Sequence, residues 1–167
     1  MNFVKTDISE FVVNPVKMIS EGWYLITCGD SSDFNTMTAS WGAVGEMWGK
    51  HAFTCAVRPN RHTFGYIENN DMFSVSFFDE KYRPALSFCG SHSGRDCDKI
   101  KETGLTPVEI DGVMAFEEAD MVIVCRKMYA QDLDEKCFND KSQLKFYEKD
   151  PLHKMYISEI MAIYRKK

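Results

Sequence analysis

Several features that define other classes of protein are absent from this sequence of 167 residues. No apolar run is long enough to span a bilayer, and residues 1–7 lack the hydrophobic core of a signal peptide. Positive charge is in deficit, because 25 Asp and Glu residues outnumber 20 Lys and Arg residues and leave a net charge of −5. These absences predict a cytoplasmic protein that binds neither membranes nor nucleic acid.

Motifs for metal and dinucleotide sites are missing as well. The six cysteines form no Cys-x-x-Cys pair, and the four histidines have no ligand spacing such as His-Glu-x-x-His. Gly-x-Gly-x-x-Gly is also absent, so a Rossmann domain is not indicated. We therefore expect reduced thiols and no bound metal. Cys89 and His92 are near neighbours, but a packed Cys89 thiol is favoured over a thiolate–imidazole pair.

The composition indicates a globular chain, with 44% hydrophobic and 13% aromatic residues. No linker, repeat or low-complexity segment divides it, so residues 1–167 are predicted to form a single domain. The three glycines at positions 42, 45 and 49 predict a flexible connection that carries Met47 and Trp48. Strands are predicted at residues 23–28, 36–41, 51–57, 72–78, 113–116, 120–133 and 156–164, and short helices at residues 60–68, 83–89 and 97–103. Such a set predicts a mainly β fold with small helices, arranged as a closed or nearly closed barrel.

Residues 91–99, Ser-His-Ser-Gly-Arg-Asp-Cys-Asp-Lys, have the composition of a phosphate site. Asp96 is a good N-cap, and it predicts a helix over residues 97–103. The first N–H groups of a helix attract anions, and Arg95 and Lys99 add full charge. A polar turn that caps an ordinary surface helix explains this run alone equally well.

Residues 35–41, Asn-Thr-Met-Thr-Ala-Ser-Trp, form an extended run of short side chains. Small residues let a flat ring lie against a strand, where backbone groups and hydroxyls can hydrogen-bond to it. Taken alone, the run is more typical of an edge strand that faces water.

A third cluster, residues 58–63, reads Arg-Pro-Asn-Arg-His-Thr. Pro59 holds Arg58 extended at the end of a strand, and Thr63 falls in the first turn of a predicted helix. Two arginines and free helix N–H groups suit phosphate oxygens. A solvated basic turn is the simpler alternative for either arginine singly.

In their order and approximate spacing, the three clusters resemble the flavin reductase-like, FMN-binding split-barrel family, most closely its flavoredoxin-like branch. The resemblance extends over residues 15–164. It implies an FMN-binding split β-barrel that forms a homodimer, with one FMN per subunit near the interface. By this resemblance the cofactor-binding residues would be Asn35, Thr36, Met37, Thr38, Ala39, Ser40 and Trp41 at the isoalloxazine ring, and Arg58, Asn60, Arg61, Thr63, Ser91, Ser93, Gly94, Arg95 and Lys99 at the ribityl chain and phosphate.

The resemblance leaves more than one function open. The chain is expected to be an NAD(P)H-dependent flavin oxidoreductase, or else a flavoredoxin-type electron carrier that a redox protein reduces. A ligand-binding barrel without redox turnover is a weaker third alternative. Hydride transfer to flavin requires no acid–base residue, so no catalytic residue is assigned. Apolar residues around Trp41, Met47, Trp48 and Phe53 exceed what one small core needs, which also favours a homodimer.

Overall fold

The computed structural model describes residues 2–167. The strands are β1 (Phe3–Thr6), β2 (Tyr24–Gly29), β3 (Phe34–Ala39), β4 (Gly42–Met47), β5 (Lys50–Val57), β6 (Met72–Phe77), β7 (Pro107–Ile110), β8 (Val113–Phe116), β9 (Met121–Asp132) and β10 (Lys154–Lys166). The α-helices are α1 (Pro15–Lys17), which continues into a π-helical turn (Met18–Gly22), α2 (His62–Asn69), α3 (Arg83–Ser91) and α4 (Lys99–Thr103). Short 3₁₀ turns cover Ile8–Glu10, Glu80–Tyr82, Glu135–Cys137 and Lys141–Tyr147. None of the helices within residues 2–167 has the length and apolar character needed to cross a membrane.

One large antiparallel sheet holds most of the strands, in the order β3-β2-β6-β9-β10-β5-β4. The long strand β10 pairs with β9 on one edge and, on the other, first with β5 and then with β1. Register shifts after Ile157 and after Ile160 accompany this change of partner. Because bulges of this kind increase bending and twist, the sheet curls into a split barrel, and the predicted mainly β fold is confirmed.

The barrel core forms where aromatic side chains from several strands meet. Tyr24 packs edge-on against Phe53 at 5.4 Å between ring centroids and also contacts Phe77 at 5.5 Å. The alternate residue Leu25 faces outward and packs with Leu86 of α3. Strand β2 is therefore buried on both faces, which explains why its hydrophobic alternation is weak in the sequence.

The predicted flexible connection at residues 42–49 is wrong. Residues 42–47 form β4, and a tight turn with positive φ at Trp48 (54°) and Gly49 (69°) joins β4 to β5. Two consecutive positive φ values are typical of hairpin turns. Gly42 is required for close packing, since a Cβ there would lie 2.2 Å from the carbonyl oxygen of Thr54. Strands β1 and β7 were also not predicted.

The start of the last predicted helix is wrong by two residues. Helix α4 begins at Lys99, and Asp98 caps it by accepting hydrogen bonds from the N–H groups of Ile100 and Lys101. Asp96 instead lies in the preceding turn, where its N–H donates to the Ser93 carbonyl at 3.0 Å. Asp residues at both positions fit a cap equally well, so composition alone did not separate them.

Candidate functional site

A cleft of about 260 Å³ opens where β3 ends, beside the end of β5. Its lining consists of Met37, Thr38, Ala39, Ser40, Trp41, Ala56, Arg58, Arg61 and His153. We call it the β3 cleft. Within residues 2–167, β3 pairs with β2 alone, so its other edge offers backbone N–H and C=O groups. The short side chains at positions 38–40 allow a flat molecule to approach that edge.

Arg58 lines the β3 cleft, and its two terminal nitrogen atoms contact different residues. Its Nη1 forms an ion pair with Asp150 Oδ2 at 2.6 Å, and its Nη2 donates to the Phe146 carbonyl at 3.0 Å. The Nε atom is buried and has no hydrogen-bond partner among the described residues. A buried donor without an acceptor is costly, so this N–H is suited to a ligand oxygen in the cleft.

The N-terminus of α2 adds further donors next to Arg58. Arg61 is the N-cap residue, and within residues 2–167 no side chain caps the first turn. The Arg61 guanidinium donates instead to the Cys89 carbonyl at 3.4 Å, at the end of α3. The free N–H groups of the first turn carry partial positive charge and favour an anion.

The turn at residues 93–95 packs against this helix start. Gly94 lies so close to Asn35 and His62 that a Cβ would come within 2.1 Å of Asn35 Oδ1. Arg95 is exposed, and its Nη1 donates to the Asn60 carbonyl at 3.5 Å. The fold thus brings two of the predicted basic clusters, residues 58–63 and 91–95, together beside Asn35 at the start of β3.

Four of the predicted site residues have their side chains engaged inside the protein. Lys99 is 5% exposed, and its Nζ donates to the carbonyls of Thr36 at 2.7 Å and Cys89 at 2.9 Å. Burial lowers the pKa of Lys99 to about 8. Asn35 Nδ2 donates to Thr63 Oγ1 at 2.7 Å, and the Thr36 hydroxyl is bonded to that of Thr27 at 2.9 Å. These contacts fix β3 against α2, α3 and α4.

The side chains of other predicted site residues differ in the contacts they make. The Met37 side chain is buried in the barrel core, and the Thr38 hydroxyl donates to the Leu86 carbonyl of α3. Ser91 is exposed at the end of α3, where its hydroxyl donates to the Ser87 carbonyl at 2.9 Å. Ser93 Oγ accepts from the Arg95 N–H at 3.2 Å. Ala39, Ser40 and Trp41 contribute directly to the cleft wall.

The residues that join β9 to β10, numbers 133–153, supply a side of the site that the sequence analysis missed. We call them the β9–β10 connection. Trp41 contacts the Phe146 ring edge-on at 5.4 Å and the His153 ring at 4.9 Å. The signal available in the sequence was length, because connections longer than about 15 residues are uncommon and often functional.

His153 has an electrostatic environment that keeps its imidazole neutral. Burial lowers its pKa to about 4, and the positive charge of Arg58 acts in the same direction, while Asp150 opposes them. The Tyr147 hydroxyl lies 3.0 Å from His153 Nδ1. If the hydroxyl donates to Nδ1, Nε2 carries the proton and acts as a hydrogen-bond donor.

The shift in the His153 pKa predicts a pH-dependent loss of stability. The unfolded state binds the extra proton between about pH 6.5 and pH 4, so the free energy of unfolding falls as the pH falls through this window. We expect His153 to account for a loss on the order of 1–2 kcal/mol after allowance for its partial exposure. Urea unfolding at pH 7, 5.5 and 4 measures it.

The readout is the difference between the wild type and His153→Asn, because carboxylates titrate in the same range. His51→Asn, at an exposed position of β5, is the matched control. Equal acid sensitivity of the wild type and His153→Asn would contradict the prediction.

Comparison with known proteins places this architecture among flavin-related folds. A family model described as a flavin reductase like domain matches residues 16–167. An FMN-binding domain of a flavin reductases-like enzyme from Shewanella baltica OS155 superposes with a TM-score of 0.71 at 15% identity, over 99% of this chain and 78% of that one. No curated protein matches this sequence.

Two further solved structures share the fold. A flavoredoxin from Methanosarcina acetivorans gives a TM-score of 0.69 at 18% identity, over 98% of this chain and 76% of that one. An NADH:FAD oxidoreductase from Streptomyces globisporus C-1027 gives 0.66 at 15% identity, over 86% of this chain and 75% of that one. At these identities the structural similarity supports a shared fold and nothing more specific.

Proposed function

This chain belongs to the flavin reductase-like family, and we propose that it binds FMN in the β3 cleft and transfers electrons from NAD(P)H or a reduced protein to an acceptor. The observation that carries the proposal is the side chain of Arg58, which lines the cleft together with the small residues of β3 and whose buried Nε has no hydrogen-bond partner within residues 2–167. An unpaired donor beside a wall of small residues fits a flat ligand that is rich in acceptor oxygens.

The hydrogen-bond donors around the cleft form two groups, one suited to the flavin ring and one suited to the phosphate. The edge of β3 at Thr38–Ser40 would lie against the ring, where backbone groups match its alternating donors and acceptors. The exposed Arg95, the first turn of α2, and Arg58 with Asn60 would hold the phosphate by charge-assisted and neutral hydrogen bonds. The fit supports FMN in preference to a flavin without a phosphate.

Bound FMN would supply the redox chemistry, accepting electrons in pairs from a nicotinamide or singly from a protein. The residues of the chain would orient the cofactor and set its surroundings. Trp41 and Phe146 would offer an apolar surface beside the bound ring. The guanidinium groups of Arg58 and Arg61 favour negative charge on a ligand in the cleft, and the neutral imidazole of His153 offers a hydrogen bond.

One observation favours an electron carrier as a second candidate. The β9–β10 connection packs beside the cleft, where the rings of Phe146 and His153 contact Trp41. A cofactor flanked in this way would dissociate slowly and would exchange electrons through a protein partner. The absence of oxidation of free NADH would then be expected.

The absorption spectrum of the purified protein tests both candidates. We expect added FMN to remain with the protein through gel filtration and to be reduced by NADH or NADPH under anaerobic conditions. If neither nicotinamide reduces it but a reduced electron-transfer protein does, the carrier function replaces the reductase function. Failure to bind added FMN rejects the proposal and leaves a ligand-binding barrel.

We also propose that the protein is a homodimer, built on the β4–β5 hairpin. β4 is an end strand, and its residues are mostly exposed. Trp48 is 64% exposed and stacks obliquely with the exposed Tyr129 at 6.1 Å. An apolar patch on an open strand edge is typical of a twofold interface.

Light scattering at micromolar concentration tests the dimer. We expect twice the monomer mass for the wild type, and Trp48→Glu should shift the protein to monomer because it places a charge in the patch. Val4→Glu, which alters an exposed apolar residue of β1, is the matched control. A monomeric wild type would contradict the proposal.

We also propose that the protein is cytoplasmic. All six cysteines are free, and Cys28, Cys55, Cys89 and Cys125 are buried, which supports a reducing compartment.

A further inference from the structure

The β9–β10 connection contributes a carboxylate, that of Asp150, which binds two hydrogen-bond donors suited to an anionic ligand. Asp150 Oδ2 lies 2.6 Å from Arg58 Nη1, and Asp150 Oδ1 accepts from Asn60 Nδ2 at 3.2 Å. Both oxygens of the carboxylate are thus held by the turn that follows β5. Asn60 also accepts through its carbonyl from Arg95, at 3.5 Å. One acidic side chain therefore sits beside the basic groups that surround the mouth of the cleft.

The contact between Arg58 and Asp150 can be exchanged. The two side chains are 23% and 41% exposed, and ion pairs with this access to water contribute little to stability. A phosphate monoester carries a larger negative charge than a carboxylate, about −1.5 to −2, and three acceptor oxygens. Phosphate and carboxylate cannot both occupy the same donors without repulsion, so each weakens the binding of the other.

From this geometry we propose that Asp150 is a specificity-determining residue, an internal anion that competes with the phosphate of an incoming flavin for Arg58 and Asn60. The inference rests on the proposed function, since it concerns how the same site recognises its cofactor. Asp150 lowers the affinity for FMN and leaves the affinity for riboflavin, which has no phosphate, unchanged. It therefore reduces the discrimination between the two flavins.

Titrations of the apoprotein with FMN and with riboflavin, followed by quenching of flavin fluorescence, test the proposal. We expect Asp150→Asn to bind FMN about three- to tenfold more tightly than the wild type, and riboflavin with unchanged affinity. Asp150→Ala, which also removes the acceptor for Asn60, should change the FMN affinity in the same direction. Thermal melting of each variant reports whether the fold is retained.

Glu148→Gln is the matched control. Glu148 is an exposed residue of the same connection, and its replacement removes the same charge two residues from Asp150. We expect this variant to bind both flavins as the wild type does. An equal gain in Glu148→Gln would assign the effect to net charge and overturn the proposal.

The other outcomes of the flavin titrations also test the proposal. Equal changes for FMN and riboflavin in Asp150→Asn, or weaker FMN binding, would show that Asp150 orients Arg58 instead of competing with phosphate. A wild type that binds neither flavin rejects the proposed function itself. A wild type that binds both, with no discrimination gained in either Asp150 variant, rejects this inference alone.

Discussion

Replacing Ala39 with leucine is expected to weaken FMN binding by about 100-fold while the barrel remains folded. Ala39 is the last residue of β3 and lies in the wall of a cleft of about 260 Å³. Added side-chain volume at this position occupies the space through which a flat ring reaches the strand edge. Ala39 is partly buried and packs against the barrel core as well as lining the cleft, so thermal melting must accompany the binding measurement. Fluorescence quenching measures the affinity.

Ala130→Leu provides the control for added bulk on a strand. Ala130 is an exposed residue of β9 and does not line the cleft. Its variant should bind FMN normally, and circular dichroism should be the same for both variants. Normal FMN binding by Ala39→Leu would return β3 to the simpler interpretation of an edge strand that faces water.

Local sequence rules predicted most of the strands because their signals are local. Residues 113–116 were bounded correctly, since an apolar segment between turn residues needs no distant partner to be recognised. β4 was missed for the opposite reason. Its composition, Gly-Ala-Val-Gly-Glu-Met, is poor in strand-forming residues, and pairing with β5 through a tight turn overrides that preference.

In the candidate site, too, the residues with a local sequence signal were predicted and those that depend on distant contacts were not. The basic clusters at residues 58–63 and 91–95 were recognisable from composition, and the fold brings them together. The engagement of Lys99 with Thr36 and Cys89 depends on how α4 packs against β3 and α3, which no local pattern reveals. His153, which lines the cleft, and Asp150, which pairs with Arg58, were missed because these contacts form only when the β9–β10 connection folds back toward the end of β5.

Replacing Arg95 with alanine is expected to weaken FMN binding about tenfold to 100-fold and riboflavin binding much less. Arg95 is exposed beside Asn60, and its guanidinium is held there by a single long bond of 3.5 Å to a carbonyl. That side chain can therefore turn to a phosphate at little cost and form paired, charge-assisted hydrogen bonds. Riboflavin lacks the phosphate, so the ratio of the two dissociation constants isolates this contact. High salt should reduce the difference between wild type and variant, because exposed charges are screened.

Lys101→Ala is the control, since Lys101 is an exposed cation on α4 whose loss lowers the net charge equally. We expect it to change both affinities by less than about twofold, because charges separated from the ligand by water interact weakly at physiological ionic strength. Equal losses of FMN and riboflavin in Arg95→Ala would mean that Arg95 does not bind the phosphate. Arg58 and the first turn of α2 would then be left as its donors, and Asp150 would face the phosphate with no second arginine to offset its charge.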